Sequence, residues 1–307
     1  MKILKNLMNL NTKKVIFLIG PTAIGKTSLS IDLAQELKTN IISCDSRQFY
    51  KELKIGSAPP SKKELKLIKH HFIQNLSINE DYNIGQFEND AINTITKLFK
   101  TFNTLILVGG SGLYIDAVCN GIDLIPKTPK KIREKVNEYF DSKGIEWLKE
   151  KIKEVDPEFY DKADKNNPQR LKRCLEVYLQ TGKKISSFHK KEKKKRDFEI
   201  IKIGIKTERE NLYKKINNRV NKMINNGLIE EASTLFKHRS LNALNTVGYK
   251  EIFNCLDKKN DVEDAIEEIK KNTRRFAKRQ LTWFRKDSTI NWFFKSEKNN
   301  IIDFILK

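Results

Sequence analysis

The segment Gly20-Pro21-Thr22-Ala23-Ile24-Gly25-Lys26-Thr27 fits the spacing G-x-x-x-x-G-K-[ST]. Glycines at those two places let backbone amides turn inward around phosphate oxygens, and a helix that starts at the loop presents its positive end. Lys26 adds a point charge, and the Thr27 hydroxyl suits a phosphate-bound Mg²⁺. Nucleotide hydrolases built on this loop carry a metal-holding Asp after a further apolar strand. Here the apolar run Leu105–Val108 ends in Gly109-Gly110-Ser111-Gly112 instead. An acid does follow Asn40–Cys44, at Asp45, and reaches the loop if the two strands lie side by side. Beside a bound diphosphate, Asp45 suits proton abstraction from an incoming nucleophile. A metal ligand or the N-cap of a helix from Ser46 fits its position equally well. Arg219 is the other unusual charge. It sits on the edge of the apolar stripe Leu212, Ile216, Val220 and Met223, where a guanidinium usually has an anion. A clamp on the same diphosphate, a core ion pair and a snorkelling stem all fit that position.

The elements that hold these residues follow from periodicity. Val15–Ile19, Asn40–Cys44 and Leu105–Val108 are short continuous apolar runs, as expected of strands buried on both faces. Ile200–Ile205 alternates as a fourth strand, and Thr27–Leu37 has helical spacing. Strands separated by helices predict an α/β fold, a doubly wound and mostly parallel sheet of P-loop type, with its site at the carboxyl ends of the strands. Residues 126–196 contain amphipathic helices and no strand pattern. They read as a helical insertion into a core made of 1–125 and 197–307. Asn167 and Pro168 start one of its helices well. Thr207-Glu208-Arg209-Glu210 has capping-box form, and Gly227 stands where a helix should end.

Composition bounds the partners. Among 307 residues, 60 Lys and Arg against 39 Asp and Glu leave a net charge of +21. Such an excess predicts nucleic acid or an anionic membrane surface, although lysine-rich solvated helices give the same number. No stretch approaches the roughly 20 apolar residues of a membrane span. Met1–Lys14 has no signal-peptide core, so a cytoplasmic protein without membrane association is expected. Cys44, Cys119, Cys174 and Cys255 form no CxxC, and the pair His70-His71 lacks ligand-spaced company, which argues against zinc and for reduced thiols. The helix at about 262–286 carries acids early and Lys271, Arg274, Arg275, Lys278, Arg285 and Lys286 late, opposite Val262, Ile266, Ile269 and Phe276. Its dipole explains some of that polarity, and RNA phosphates explain the rest. Lys190–Arg196 reads as a solvated charge run.

Several segments together resemble the bacterial tRNA dimethylallyltransferases: GPTAIGKT (20–27), ISCDSRQFY (42–50), HHF (70–72), VGGSGLYI (108–115), NPQRLKRCLEVYLQTGK (167–183), VGYKE (247–251) and TRRFAKRQLTWFRK (273–286). The resemblance implies that the loop holds dimethylallyl diphosphate with Mg²⁺ rather than serving ATP hydrolysis. Asp45 is then the general base on the exocyclic amine of the adenine just 3′ of the anticodon, flipped out of its stack to be reached. It also implies contacts to the tRNA anticodon arm from Asp45, Ser46, Arg47, Gln48, Ser111, Arg133, and Gln169, Arg170, Leu171, Lys172, Arg173. Gly248, Tyr249 and Lys250 join that set, with Arg274, Arg275 and Lys278 of the basic helix, in a protein acting as a monomer. Ile24 and Ser111 replace the family's usual Ser and Thr. Ser57-Ala58-Pro59-Pro60 lacks the lysine commonly found before the proline. A P-loop small-molecule kinase, a non-catalytic RNA-binding protein and a prenyltransferase of free adenine nucleotides are the competing readings.

Overall fold

The computed structural model describes residues 12–189 and 193–307. Most of the N-terminal segment and the first three residues of the 190–196 charge run lie outside the described residues. The described chain forms two compact units, one made of residues up to 120 together with 195–307, the other of 121–194.

The first unit is built on a six-stranded sheet whose strands all run parallel. Its strands are β1 (Lys14–Ile19), β2 (Ile41–Ser43), β3 (His70–His71), β4 (Thr104–Gly109), β5 (Glu199–Lys206) and β6 (Asn291–Phe294), in the order β3-β2-β4-β1-β5-β6. β1 is central and in register with both neighbours, Lys14 opposite Thr104 and Glu199, Ile19 opposite Gly109 and Gly204. Its side chains alternate between two cores. Ile16 and Leu18 pack with Ile106, Ile203 and Ile205 on one face; Val15, Phe17 and Ile19 pack with Leu105 and Leu107 on the other. Burial on both faces is why these strands read as unbroken apolar runs.

Helices follow the strands in chain order: α1 (Lys26–Glu36), α2 (Lys62–Leu67), α3 (Ile84–Leu98) and α4 (Gly112–Asn120). Ser61 with Glu64 and Asn83 with Gln86 form the capping boxes that start α2 and α3. The second unit is wholly helical, with α5 (Lys130–Val155), α6 (Pro157–Lys162) and α7 (Pro168–Thr181). Gly144 breaks α5 at φ 75°, and the Asn167 side chain caps α7 on the Arg170 amide. The buried Asp156 carboxylate accepts from the Phe159 amide and from the amide and hydroxyl of Ser186, tying α6 to the segment after α7.

After β5 the first unit continues with α8 (Arg209–Asn225), α9 (Leu228–Leu235), α10 (Tyr249–Leu256), α11 (Val262–Phe284) and, beyond β6, α12 (Lys298–Leu306). The capping box expected at Thr207 does not form. Glu208 is the N-cap and makes no side-chain capping bond, which leaves Thr207 one position too early. Gly227 does end α8 in the left-handed conformation. The face expected to be apolar on α11 is also corrected. Ala265, Ile269, Ala277, Gln280 and Phe284 turn inward, whereas Val262 and Phe276 are 40% and 38% exposed. All four cysteines are free, three of them buried. No described helix is long and apolar enough to cross a membrane.

Candidate active site

The loop after β1 and the helix α1 form the floor of a cavity of about 500 Å³ at the carboxyl ends of β1, β2 and β4. Thr22, Ala23, Gly25, Lys26 and Thr27 line it, whereas Gly20, Pro21 and Ile24 are buried beneath. Ile24 packs into the core, so the missing Ser leaves no hole in the cradle. Gly25 takes φ +100°, a left-handed conformation that L side chains rarely adopt, and so starts α1 at the cavity. The Lys26 ammonium donates to the carbonyls of Gly20 (2.9 Å) and Pro21 (2.7 Å). Burial depresses its pKa to about 7, the Asp45 carboxylate opposes that fall, and the Arg219 guanidinium adds to it.

Asp45 lines the same cavity, but not for the reason its sequence position suggested. β2 and β1 are not neighbours, because β4 lies between them. The glycine ending β4 makes the approach possible. A Cβ on Gly109 would stand 2.5 Å from the Cys44 carbonyl oxygen, so only a glycine lets the chain before Asp45 lie against β4. No helix begins at Ser46. The Asp45 carboxylate accepts from the Arg47 amide at 3.0 Å within a turn, which removes the helix-cap reading. Gln48 is held on three sides: its carbonyl accepts from the Ser43 hydroxyl, and its amide donates to the carbonyls of Ser57 and Ala58. Ser111, after β4, accepts from the Ser46 amide at 3.4 Å.

Arg219 reaches the cavity from α8, with Asn218 beside it in the chain and Lys215 and Lys222 one turn to either side. It makes no hydrogen bond or ion pair among the described residues. Burial lowers its pKa and the Asp45 carboxylate opposes that shift; a guanidinium stays charged regardless. A desolvated cation with no ion pair among the described residues, opposite a phosphate-type loop, is suited to an anion. His70 also lines the cavity, its Nδ1 bonded to the Ile68 carbonyl at 2.8 Å.

One residue that the sequence did not single out locks the floor. Gln280 of α11 is buried; its carbonyl accepts from the Thr22 amide at 2.9 Å and its amide donates to the Gly110 carbonyl at 2.8 Å. This explains a polar residue on the inner face of α11. It also explains Gly110, where a Cβ would meet the Gln280 amide at 2.3 Å. Phe276, one turn earlier, forms part of the cavity wall.

The residues expected to touch RNA divide into two groups. Ser46, Gln48 and Ser111 surround Asp45, and Lys250, Arg275 and Lys278 are exposed in the same unit. Gln169 and Arg170 are exposed at the start of α7, Arg170 over the Phe159 ring. The others are engaged within the protein, although Arg133 stays exposed. Leu171 is fully buried, Lys172 is buried over the Phe140 ring with its ammonium on Asn137, and Tyr249 is fully buried. Arg173 bonds Pro126 and Thr128, and Arg133 and Arg173 both face Glu176. Arg47 donates to the carbonyls of Asn242, Ala243 and Asn245, and Arg274 to Asn217. Gly248 donates its amide to Glu251. Side-chain contact with RNA from Leu171, Lys172 and Tyr249 is therefore corrected to a packing role.

A parallel sheet with a phosphate loop after its central strand and a carboxylate across the cleft defines a P-loop-type α/β protein. Residues 48–287 match the family model described as IPP transferase. A tRNA dimethylallyltransferase of Christiangramia forsetii is 54% identical over 292 residues, covering 95% of this chain and 97% of the relative. One from Flavobacterium psychrophilum is 51% identical over 298 residues, covering 95% and 97%. The chain is also similar to the crystal structure of the full-length tRNA isopentenylpyrophosphate transferase of Bacillus halodurans, with TM-score 0.71 and 33% identity, 95% of each chain being covered. A eukaryotic dimethylallyltransferase acting on tRNA gives TM-score 0.77 at 28% identity, covering 92% of this chain and 74% of that one. The chain belongs to the IPP transferase family.

Proposed function

We propose that the protein transfers a dimethylallyl group from dimethylallyl diphosphate to the exocyclic amine of the adenine 3′-adjacent to the anticodon of tRNA. The observation that carries this reading is the pairing, in one cavity, of a phosphate-type loop and an Arg219 guanidinium without an ion pair among the described residues with a single lining carboxylate, Asp45. Lys26, the amides of residues 23–27 and Arg219 surround the diphosphate and stabilise it as it leaves. Asp45 accepts a proton from the adenine amine, whose lone pair is delocalised into the ring and needs that help. The carbon–oxygen bond to diphosphate breaks, the carbon–nitrogen bond to the amine forms, and the proton rests on the Asp45 carboxylate. The names of the relatives, tRNA dimethylallyltransferase and tRNA isopentenylpyrophosphate transferase, support donor and acceptor alike.

A Mg²⁺ ion fits the donor set. The Thr27 hydroxyl lines the cavity with no hydrogen-bond partner among the described residues, and no cluster of three His, Cys, Asp or Glu suited to a metal occurs among them. Protein oxygens from Thr27, with Asp45 in the same cavity, leave most positions to phosphate and water, the coordination Mg²⁺ favours. When bound, the ion adds charge neutralisation on the leaving diphosphate.

Ser46, Gln48, Ser111, Gly248, Lys250, Arg275 and Lys278 on the first unit, and Arg133, Gln169 and Arg170 on the second, take the anticodon arm. The protein works as a monomer in the cytoplasm. Nucleoside analysis of tRNA from a strain lacking the gene tests the assignment: the prenylated adenosine should vanish and return on complementation. An unchanged nucleoside profile would remove the reading.

A further inference from the structure

Among the described residues, the densest set of hydrogen bonds to one side chain outside the phosphate loop belongs to Glu231 of α9. Its carboxylate accepts from three consecutive amides, Lys54 (2.8 Å), Ile55 (2.8 and 3.1 Å) and Gly56 (2.9 Å), and from the Tyr249 hydroxyl (2.6 Å). Tyr249 is fully buried, and Gly56 lies so close that a Cβ there would be 2.5 Å from the phenol ring. Burial and the adjacent carboxylate raise the phenol pKa, so it stays a donor. The segment so gripped continues as Ser57 and Ala58, whose carbonyls accept from Gln48, and Ala58 and Pro60 line the cavity with Asp45. Ala58 sits at φ +44°, a left-handed conformation that a non-glycine residue keeps only where its surroundings impose it. A second grip comes from the same stretch of chain: the carbonyls of 242–245 hold Arg47, whose amide donates to Asp45.

We infer that Glu231 is a positioning residue for the acceptor side of the reaction, its carboxylate fixing the 54–58 wall that holds Gln48 and through it the turn bearing Asp45. Tyr249, and with it the 247–251 segment, serves this wall from inside. The inference rests on the proposed transfer to tRNA, since it assigns the wall to the nucleophile rather than to the diphosphate.

Glu231→Gln tests it. The amide keeps the shape but presents NH₂ to a row of N–H donors, so part of the grip is lost. Hydrogen exchange at residues 54–56 should lose protection, and single-turnover transfer to an anticodon stem-loop should fall about ten- to a hundredfold, the effect of a misplacement near an ångström. Donor diphosphate binding should hold, because Lys26 and Arg219 are untouched. Combined with Gln48→Ala, the two losses should be less than multiplicative, since both act along one chain of hydrogen bonds. Tyr249→Phe, which removes one of the bonds and keeps the ring packing, should give the same pattern more weakly, and it replaces Glu231→Gln if that variant fails to fold. Lost protection with an unchanged transfer rate overturns the inference, as do fully multiplicative losses. A wild-type protein that prenylates no stem-loop sinks the functional reading instead, while the exchange result still decides whether Glu231 holds the wall.

Discussion

Replacing Gln280 by Leu keeps the volume of that side chain and deletes both ends of the bridge between the phosphate loop and the end of β4. The two ends differ in cost. Gly110 is buried, so its carbonyl is stranded, at about 1–3 kcal/mol. The Thr22 amide borders the cavity, where water can replace Gln280, so its loss costs about 0.5–1.5 kcal/mol. The sum, about 1.5–4.5 kcal/mol, divided by an unfolding entropy of about 2.1 cal/mol/K per residue over 307 residues, corresponds to a fall in Tm of roughly 2–7 °C. Donor binding should weaken as well. A loop no longer tethered through Thr22 must be ordered when the diphosphate arrives, and fixing one residue costs about 1–2 kcal/mol, or about tenfold in Kd. Thermal unfolding with and without dimethylallyl diphosphate, together with calorimetric titration, reads both effects. Unchanged Tm and unchanged donor affinity would show that Gln280 fills space and does not set the loop.

Asp45→Asn should retain donor and tRNA binding while single-turnover transfer drops about 10²–10⁴-fold; near-normal transfer would return Asp45 to a metal-holding or turn-capping role. Burial depresses the Lys26 pKa to about 7, so above that pH the donor meets a neutral amine that must gain a proton on binding. Donor Kd should therefore rise by about tenfold per pH unit above 7, with proton uptake in calorimetry that disappears in Lys26→Met; a flat profile would contradict the burial. Neutralising the exposed Arg275 and Lys278 should flatten the salt dependence of tRNA binding by about 0.7–0.9 log units for each phosphate no longer neutralised, leaving donor binding intact. An unmoved slope would assign those charges to the dipole of α11.

The legible parts of this molecule are those set by local pattern. The loop at 20–27 and the strands β1, β2, β4 and β5 follow from glycine spacing and from apolar runs, because a strand covered on both faces has no polar side to show. Asp45 was legible as the acid ending a strand, though its route to the loop was not: sheet order is a property of long-range pairing, and β4 intervenes between β1 and β2. β3 and β6 were missed because two and four residues carry no period. Gln280 was missed because its partners, Thr22 and Gly110, lie 258 and 170 positions away. The same residue misled the reading of α11, since an inward glutamine breaks the apolar stripe and Phe276 was counted in its place. Arg47, Lys172 and Arg173, for which the resemblance implied RNA contacts, hold carbonyls and a ring face within the protein, contacts that no local pattern shows.

The central claim is that the nucleophile is an adenine amine presented by an RNA arm. The direct measurement incubates the protein and dimethylallyl diphosphate with an anticodon stem-loop carrying an unmodified adenine 3′ of the anticodon, and in parallel with AMP, followed by mass analysis of the products. The stem-loop should gain one dimethylallyl group far faster than AMP. No product should form when that adenine is replaced by guanine, which has an oxygen where the reacting amine must stand. AMP serving as an equal acceptor, or a guanine stem-loop being modified, would contradict the claim.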